Sequence, residues 1–184
     1  MEHLALAALE AGLDEIRRSP KDGGVVELIV RRPAECEREV LEEATLDMID
    51  GLVGDNWRTR GNRRTEDGSA HPDMQITLMN ARVAALVAGH PERRQLAGDQ
   101  LFVDLDLSYD NLPPGTRLAA GSAVIEITDQ PHTGCGKFAR RFGTDALRFV
   151  NSVTGRELNL RGVNARVVSG GAVRLGDTLS KRAK

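Results

Sequence analysis

Cysteine is scarce. The 184 residues hold two, Cys36 and Cys135, far apart and in different surroundings. That count excludes the disulfide framework of a small secreted protein and makes a reducing cytoplasm the expected location. No apolar run approaches the roughly 20 residues needed to span a bilayer. The N-terminus carries Glu2 and no continuous apolar stretch, so neither membrane association nor a signal peptide is expected. A net charge of −2 and a pI near 6.1 deny the chain the overall basic footprint of a nucleic-acid binder. Lys and Arg cluster only locally, around residues 58–64 and 137–148.

Several familiar motifs are missing as well. There is no Gly-x-Gly-x-x-Gly fingerprint and no CxxC-type cluster set, so neither a bound dinucleotide nor an iron–sulfur centre is expected. Gly136-Lys137 resembles the end of a phosphate-binding loop, but Pro131 stands where its first glycine belongs and Phe138 where its Ser or Thr belongs. Asp104, Asp106, Ser108 and Asp110 imitate the start of a calcium loop. Tyr109 then occupies the glycine position and Gly115 that of the bidentate Glu, which rules calcium out. His3, His71, His90 and His132 are scattered and Cys36 is remote from Cys135 in sequence, so no structural zinc site is expected. No internal repeat or low-complexity linker divides the chain, and its length suits one domain with appendages.

What is present reads as short strands with brief helices between them. Leu6, Leu9, Leu13 and Ile16 recur at helical spacing and predict an amphipathic helix over residues 3–18, ended by Pro20 and Gly23-Gly24. Residues 25–30 form a strand, and residues 35–44 a charged helix with Val40, Leu41 and Ala44 inward and Cys36 in its first turn among glutamates. A polar stretch from Gly51 to Pro72 carries Arg58, Arg60, Arg63, Arg64 and the one Trp, Trp57. It reads as a solvated loop or, since long structureless loops are uncommon in compact domains, as a loop covering a substrate or cofactor. Strands are expected at 74–79, 101–107, 116–119, 123–128, 162–168 and 172–179, with helices at 81–88, capped by Asn80, and at 144–151. Strands do not alternate regularly with long helices, so the fold class is mainly β with peripheral helices, barrel-like rather than doubly wound.

The stretch around which the chain is organised is Pro131-His132-Thr133-Gly134-Cys135-Gly136-Lys137-Phe138-Ala139-Arg140-Arg141-Phe142. Glycines on both sides leave Cys135 unshielded, and Lys137, Arg140 and Arg141 follow closely. Cations beside a thiol favour the thiolate, the form that attacks electrophiles and binds metals. A Cys–His hydrolase would need His132 or His71 as base, but His132 is only three residues from Cys135 on a turn, a poor geometry for a proton relay. His132 is equally well read as a partly exposed turn residue.

The succession Gly51-x-x-Gly54-Asp55, Met74-Gln75-Ile76-Thr77-Leu78, Gly98-Asp99 and Asn111-Leu112-Pro113-Pro114-Gly115 resembles the MOSC domain, the C-terminal module of molybdenum cofactor sulfurases. Gly121-x-Ala123-x-x-Glu126-x-Thr128-x-x-Pro131-x-x-x-Cys135, then Gly162-x-Asn164-Ala165 and Gly176-Asp177, extend the resemblance, which is nearest to the small stand-alone bacterial members. It runs from about Val25 to Thr178, dividing the chain into an N-terminal helical extension (1–22) and a barrel domain (23–184). The segment before Cys135 departs from many members, having His132-Thr133-Gly134 where they carry Arg and Pro.

The resemblance implies a β-barrel and a cysteine, Cys135, that either ligates the molybdenum of a molybdopterin cofactor or carries sulfur destined for it. The implied reaction is reductive removal of oxygen from an N-hydroxylated base or related small-molecule substrate, with electrons from a separate reductase. The sulfur-carrier alternative needs a cysteine desulfurase as partner, and a third reading is a non-catalytic regulatory domain. A soft thiolate suits molybdenum or sulfur transfer. A pterin phosphate would be met by cations, for which Lys137, Arg140, Arg141, Arg148 and Arg166 are candidates. Asn80, Asn111 and Asn164 are candidates for the pterin edge.

Overall fold

The computed structural model describes residues 3–63 and 65–182; Arg64 of the basic stretch lies outside them. Eleven strands follow in order: β1 (Gly24–Arg31), β2 (Glu39–Leu41), β3 (Glu43–Asp47), β4 (Gly51–Leu52), β5 (Ile76–Asn80), β6 (Leu101–Asp104), β7 (Arg117–Ala120), β8 (Ala123–Ile127), β9 (Val163–Ser169), β10 (Gly171–Arg174) and β11 (Thr178–Lys181). Seven of them close on themselves in the order β11-β7-β8-β9-β5-β6-β1, because β1 pairs with β11 as well as with β6. β2 extends the far end of β1, and β10, β3 and β4 form a separate three-stranded sheet. The expected barrel-like, mainly β fold with peripheral helices is the one observed.

Two apolar cores lie back to back across the barrel wall. Val26, Ile29, Ile76, Leu78, Leu101, Val103, Ile125 and Ala165 belong to one cluster. Leu28, Val30, Met79 and Phe102 belong to another, which they share with the helices. Val26 and Ile29 belong to the same core although they are three positions apart in a strand, where sides alternate. A register shift between Val26 and Leu28 supplies the extra residue that reverses the parity. β5 is buried at every position, as a strand covered on both faces must be.

The helix layer comprises α1 (Leu6–Ala11), α2 (Leu13–Ile16), α3 (Trp57–Arg60), α4 (Ala81–Ala88), α5 (Gly136–Phe142), α6 (Thr144–Asn151) and α7 (Val153–Glu157). Asn80 does cap α4, accepting from the backbone N–H of Arg82 and Val83. The helix expected over residues 3–18 is two short ones, separated at Gly12. None of the described helices is long and apolar enough to cross a membrane.

The helix expected over residues 35–44 is absent. A turn occupies residues 34–36, and β2 and the start of β3 follow. Val40, placed inward by the helical reading, is 56% exposed. Ala44 and Leu46 face the barrel core at strand spacing, drawn in by the pairing of β3 with β10. The strand expected over 172–179 is likewise two, β10 and β11, in different sheets.

Candidate functional site

The loop after β8 carries Cys135 to the start of α5, where its carbonyl accepts from Ala139 N at 3.0 Å. Asn151 of α6 grips the residue before it from both sides, accepting from Gly134 N at 2.9 Å and donating to Gly134 O at 3.1 Å. A Cβ at Gly134 would lie 2.7 Å from Leu147 and 2.9 Å from Val150. Gly134 is therefore a close-packing residue as much as an unshielding one. The thiol itself is exposed.

Cys135 lines a cavity of about 830 Å³, within the roughly 300–1,000 Å³ of ordinary ligand sites. Its wall is cationic: Arg32, Arg38, Arg60, Arg63, Lys137, Arg141 and Arg161 all contribute. Three of these seven are neutralised by carboxylates, Arg32 by Asp55 (2.7 Å), Arg161 by Asp99 (2.6 Å) and Lys137 by Glu35 (2.6 Å). For Arg38, Arg60 and Arg141 no carboxylate lies within ion-pair distance among the described residues. Guanidinium groups gather at Gly98: Arg32 Nη1 donates to its carbonyl at 2.8 Å, and Arg38 and Arg141 lie against its α-carbon, 3.5 and 3.6 Å from where a Cβ would stand.

That surplus has an electrostatic signature. Burial, reinforced by the charges of Arg141 and Arg32, pulls the Arg38 guanidinium below its ordinary pKa. Desolvation by neighbouring groups and then Arg32 do the same to Arg60, although that residue is exposed to solvent at the cavity mouth. The protonated form of each is thus less favourable in the fold than in the unfolded chain, and a bound anion would reverse that. Arg38→Met is accordingly expected to raise the urea midpoint of the ligand-free protein while weakening its affinity for inorganic pyrophosphate, measured by calorimetry. Loss of one charge-assisted hydrogen bond, about 1.5–3 kcal/mol, corresponds to roughly a ten- to hundredfold weaker affinity. A variant both less stable and unchanged in affinity would sink the idea of a charge surplus held for a ligand.

Deeper in, two acceptors stand out. Asn164 of β9 is fully buried; its Nδ2 donates to Gln130 O at 3.1 Å, but its Oδ1 has no partner. His132 Nδ1 stands 3.5 Å from Asp99 Oδ1, and neither atom makes a hydrogen bond. Burial, aided by the charges of Arg161 and Arg32 and opposed by Asp99, pushes the His132 pKa down to about 3, so the imidazole is neutral and one of its nitrogens can accept. Gly162, at φ +110°, makes room for it: a Cβ there would lie 3.2 Å from His132 Nδ1 and 2.1 Å from Leu78 O. Arg161 also lies over the Phe138 ring at 5.1 Å, a cation–π contact that fixes the guanidinium plane.

Of the residues singled out from sequence, Cys135, Lys137, Arg141, Asn164 and His132 come together here. Asn80 does not line the cavity: its oxygen caps α4, and its nitrogen donates to Ser19 Oγ and Leu105 O. Asn111 is bonded to Lys21 O, Asp106 O and Lys181 Nζ on another part of the surface. Arg166 is a half-exposed surface residue paired with Glu126 (2.6 Å) and Asp73 (3.2 Å), and the exposed Arg148 faces Asp145. Arg140 is exposed and does not line the cavity. The Gly51–Pro72 stretch supplies cavity wall through Asn56, the buried Trp57, Arg60, Asn62 and Gly68. Arg32, Arg38, Asp99, Arg161 and Cys36 carry no motif signal beyond Gly98-Asp99; only the fold gathers them.

No family model matches the chain, and no curated protein does. Solved structures do. The YuaD protein from Bacillus subtilis is similar at 16% identity and a TM-score of 0.66, with 88% of this chain and 96% of that one covered. YiiM from Escherichia coli follows at 20% identity and 0.56, covering 87% and 70%, and YiiM from Geobacillus stearothermophilus at 17% and 0.54, covering 88% and 73%. These likenesses show the fold, a MOSC-like closed seven-stranded barrel with a helix layer.

Proposed function

We propose that the cavity binds the molybdopterin form of the molybdenum cofactor with Cys135 as protein ligand to the metal, and that the protein is a reductase removing oxygen from N-hydroxylated bases or related compounds. The observation that carries this reading is the convergence, on one cavity, of an accessible thiol with guanidinium groups that lack carboxylate partners among the described residues. The residues fit the group. Arg38, Arg60 and Arg141 offer a phosphate the charge it needs. Asn164 Oδ1, buried without a partner, is an acceptor for an N–H of the pterin edge, and a buried acceptor left unsatisfied is costly. Cys135 is a soft donor of the kind that molybdenum takes.

When bound, the cofactor supplies the two-electron oxygen-accepting chemistry. The chain's own part is binding and orientation. The guanidinium wall holds the anionic end, and Trp57 and Phe138 bound the cavity with apolar surface. Electrons would come from a separate reductase, so the purified chain with NADH alone should reduce no substrate. The MOSC-like fold supports a cofactor role by analogy of architecture.

Molybdenum content and fluorescence of the oxidised pterin, measured on wild type and Cys135→Ser purified without oxygen from a cofactor-making host, test the reading. Near-stoichiometric metal and pterin in wild type, with the metal lost in the variant, is the expected result. Pterin retained with metal content independent of Cys135 would turn the assignment toward a sulfur carrier with a persulfide on Cys135, served by a cysteine desulfurase. Absence of both from wild type would overturn it and leave a sulfur carrier or a regulatory domain on the same barrel.

A further inference from the structure

The two cysteines, remote in sequence, line the same cavity, and both are exposed, free thiols. Cys36 sits in the turn between β1 and β2, and Cys135 immediately precedes α5. A second contact ties these segments together: Lys137 Nζ, in the first turn of α5, meets Oε1 of Glu35, the neighbour of Cys36, at 2.6 Å. An ion pair between exposed side chains thus links the turn to the start of α5, through residues adjacent to, or two positions from, each thiol. Residues 34–38 belong to neither helix nor strand, so they can shift without breaking a ladder. Cys36 holds a φ of +67°, a conformation few non-glycine residues adopt.

We infer that Cys36 is the resolving thiol of Cys135, and that a small-molecule disulfide converts the pair into an intramolecular disulfide across the cavity mouth. The thiolate of one cysteine attacks the oxidant, forming a mixed disulfide and releasing half of it as a thiolate that takes up a proton. The thiolate of the other then displaces the remaining half, and the Sγ–Sγ bond forms. Two protein thiols are oxidised, and one small-molecule disulfide is reduced to two thiols. A disulfide needs Cα atoms within about 7 Å, so the bond forms when the 34–38 turn brings Cys36 that close to the start of α5. Blocking of ligand entry by this bond rests on the cavity reading above; formation of the bond does not.

Oxidised glutathione is added to wild type, Cys36→Ser and Cys135→Ser, followed by peptide mass mapping without reduction. Both residues are at the surface, so both variants keep the fold. Wild type is expected to form no disulfide-linked dimer, lose both thiols together, retain no glutathione and yield one cross-linked peptide containing Cys36 and Cys135. Each single variant should instead accumulate a glutathione adduct on its remaining cysteine, and dithiothreitol should reverse both products. Wild type carrying glutathione on both cysteines, or disulfide-linked dimers, would overturn the inference. Neither result depends on whether metal or pterin copurifies, so this inference and the cofactor reading fail separately.

Discussion

Replacing Asp55 with alanine is expected to lower the unfolding free energy by about 3–5 kcal/mol, the cost of stranding a buried charge. The Asp55 side chain is fully buried and that of Arg32 is 7% exposed. The carboxylate accepts four hydrogen bonds, from Arg32 N (3.0 Å), Nε (2.7 Å) and Nη2 (2.8 Å) and from Trp57 N (2.9 Å). It therefore fastens the end of β1 to the start of α3, and Trp57 to its place in the cavity wall. Asp50→Ala is the control: its partner Arg58 lies 2.7 Å away but both side chains are about half exposed, so the loss should be about 0.2–1 kcal/mol. Urea midpoints at unchanged slope measure both. The additional change Arg32→Met should recover much of the Asp55 loss, because the stranded charge goes with it. Equal losses for Asp55→Ala and Asp50→Ala would show that the buried pair is not the anchor described.

The barrel was legible where apolar residues kept one period. Residues 144–151 form α6 as their helical spacing requires, and 25–30 lie inside β1. Residues 35–44 misled because Val40, Leu41 and Ala44 fall at helical spacing among glutamates, which are good helix formers. What decides their conformation is distant: β2 pairs with β1, and β3 with β10 from the far end of the chain. The site divides in the same way. Cys135, Lys137 and Arg141 lie within one local stretch and announce themselves. Arg32, Arg38, Asp99 and Arg161 are ordinary charged residues in sequence, and acquire meaning only when barrel closure gathers them around Gly98. Asn80 shows the converse error, since an asparagine before a helix is already used as its cap.

His132 carries the second large expected effect, a loss of stability in acid. Its pKa falls from 6.5 in the unfolded chain to about 3 in the fold. Above pH 6.5 the imidazole is neutral in both states and contributes no pH dependence. Below it the unfolded chain takes up a proton that the fold refuses, and stability is lost at roughly 1.4 kcal/mol per pH unit until the folded group also titrates, near pH 3. Between pH 7 and pH 4.5 the wild type should therefore lose about 2–3 kcal/mol more than His132→Gln, which has no titrating group there. Any constant packing penalty of the variant cancels in that difference, and so do the titrations of the surface carboxylates. Parallel pH curves would mean that His132 protonates freely and is not enclosed as described. The same neutrality bears on the cavity: His132 offers a ligand a donor and an acceptor but no charge. Attraction for an anion must then come from the arginines of the wall, so affinity for sulfate, whose own charge is fixed there, should stay level through the pH range in which an exposed histidine would titrate.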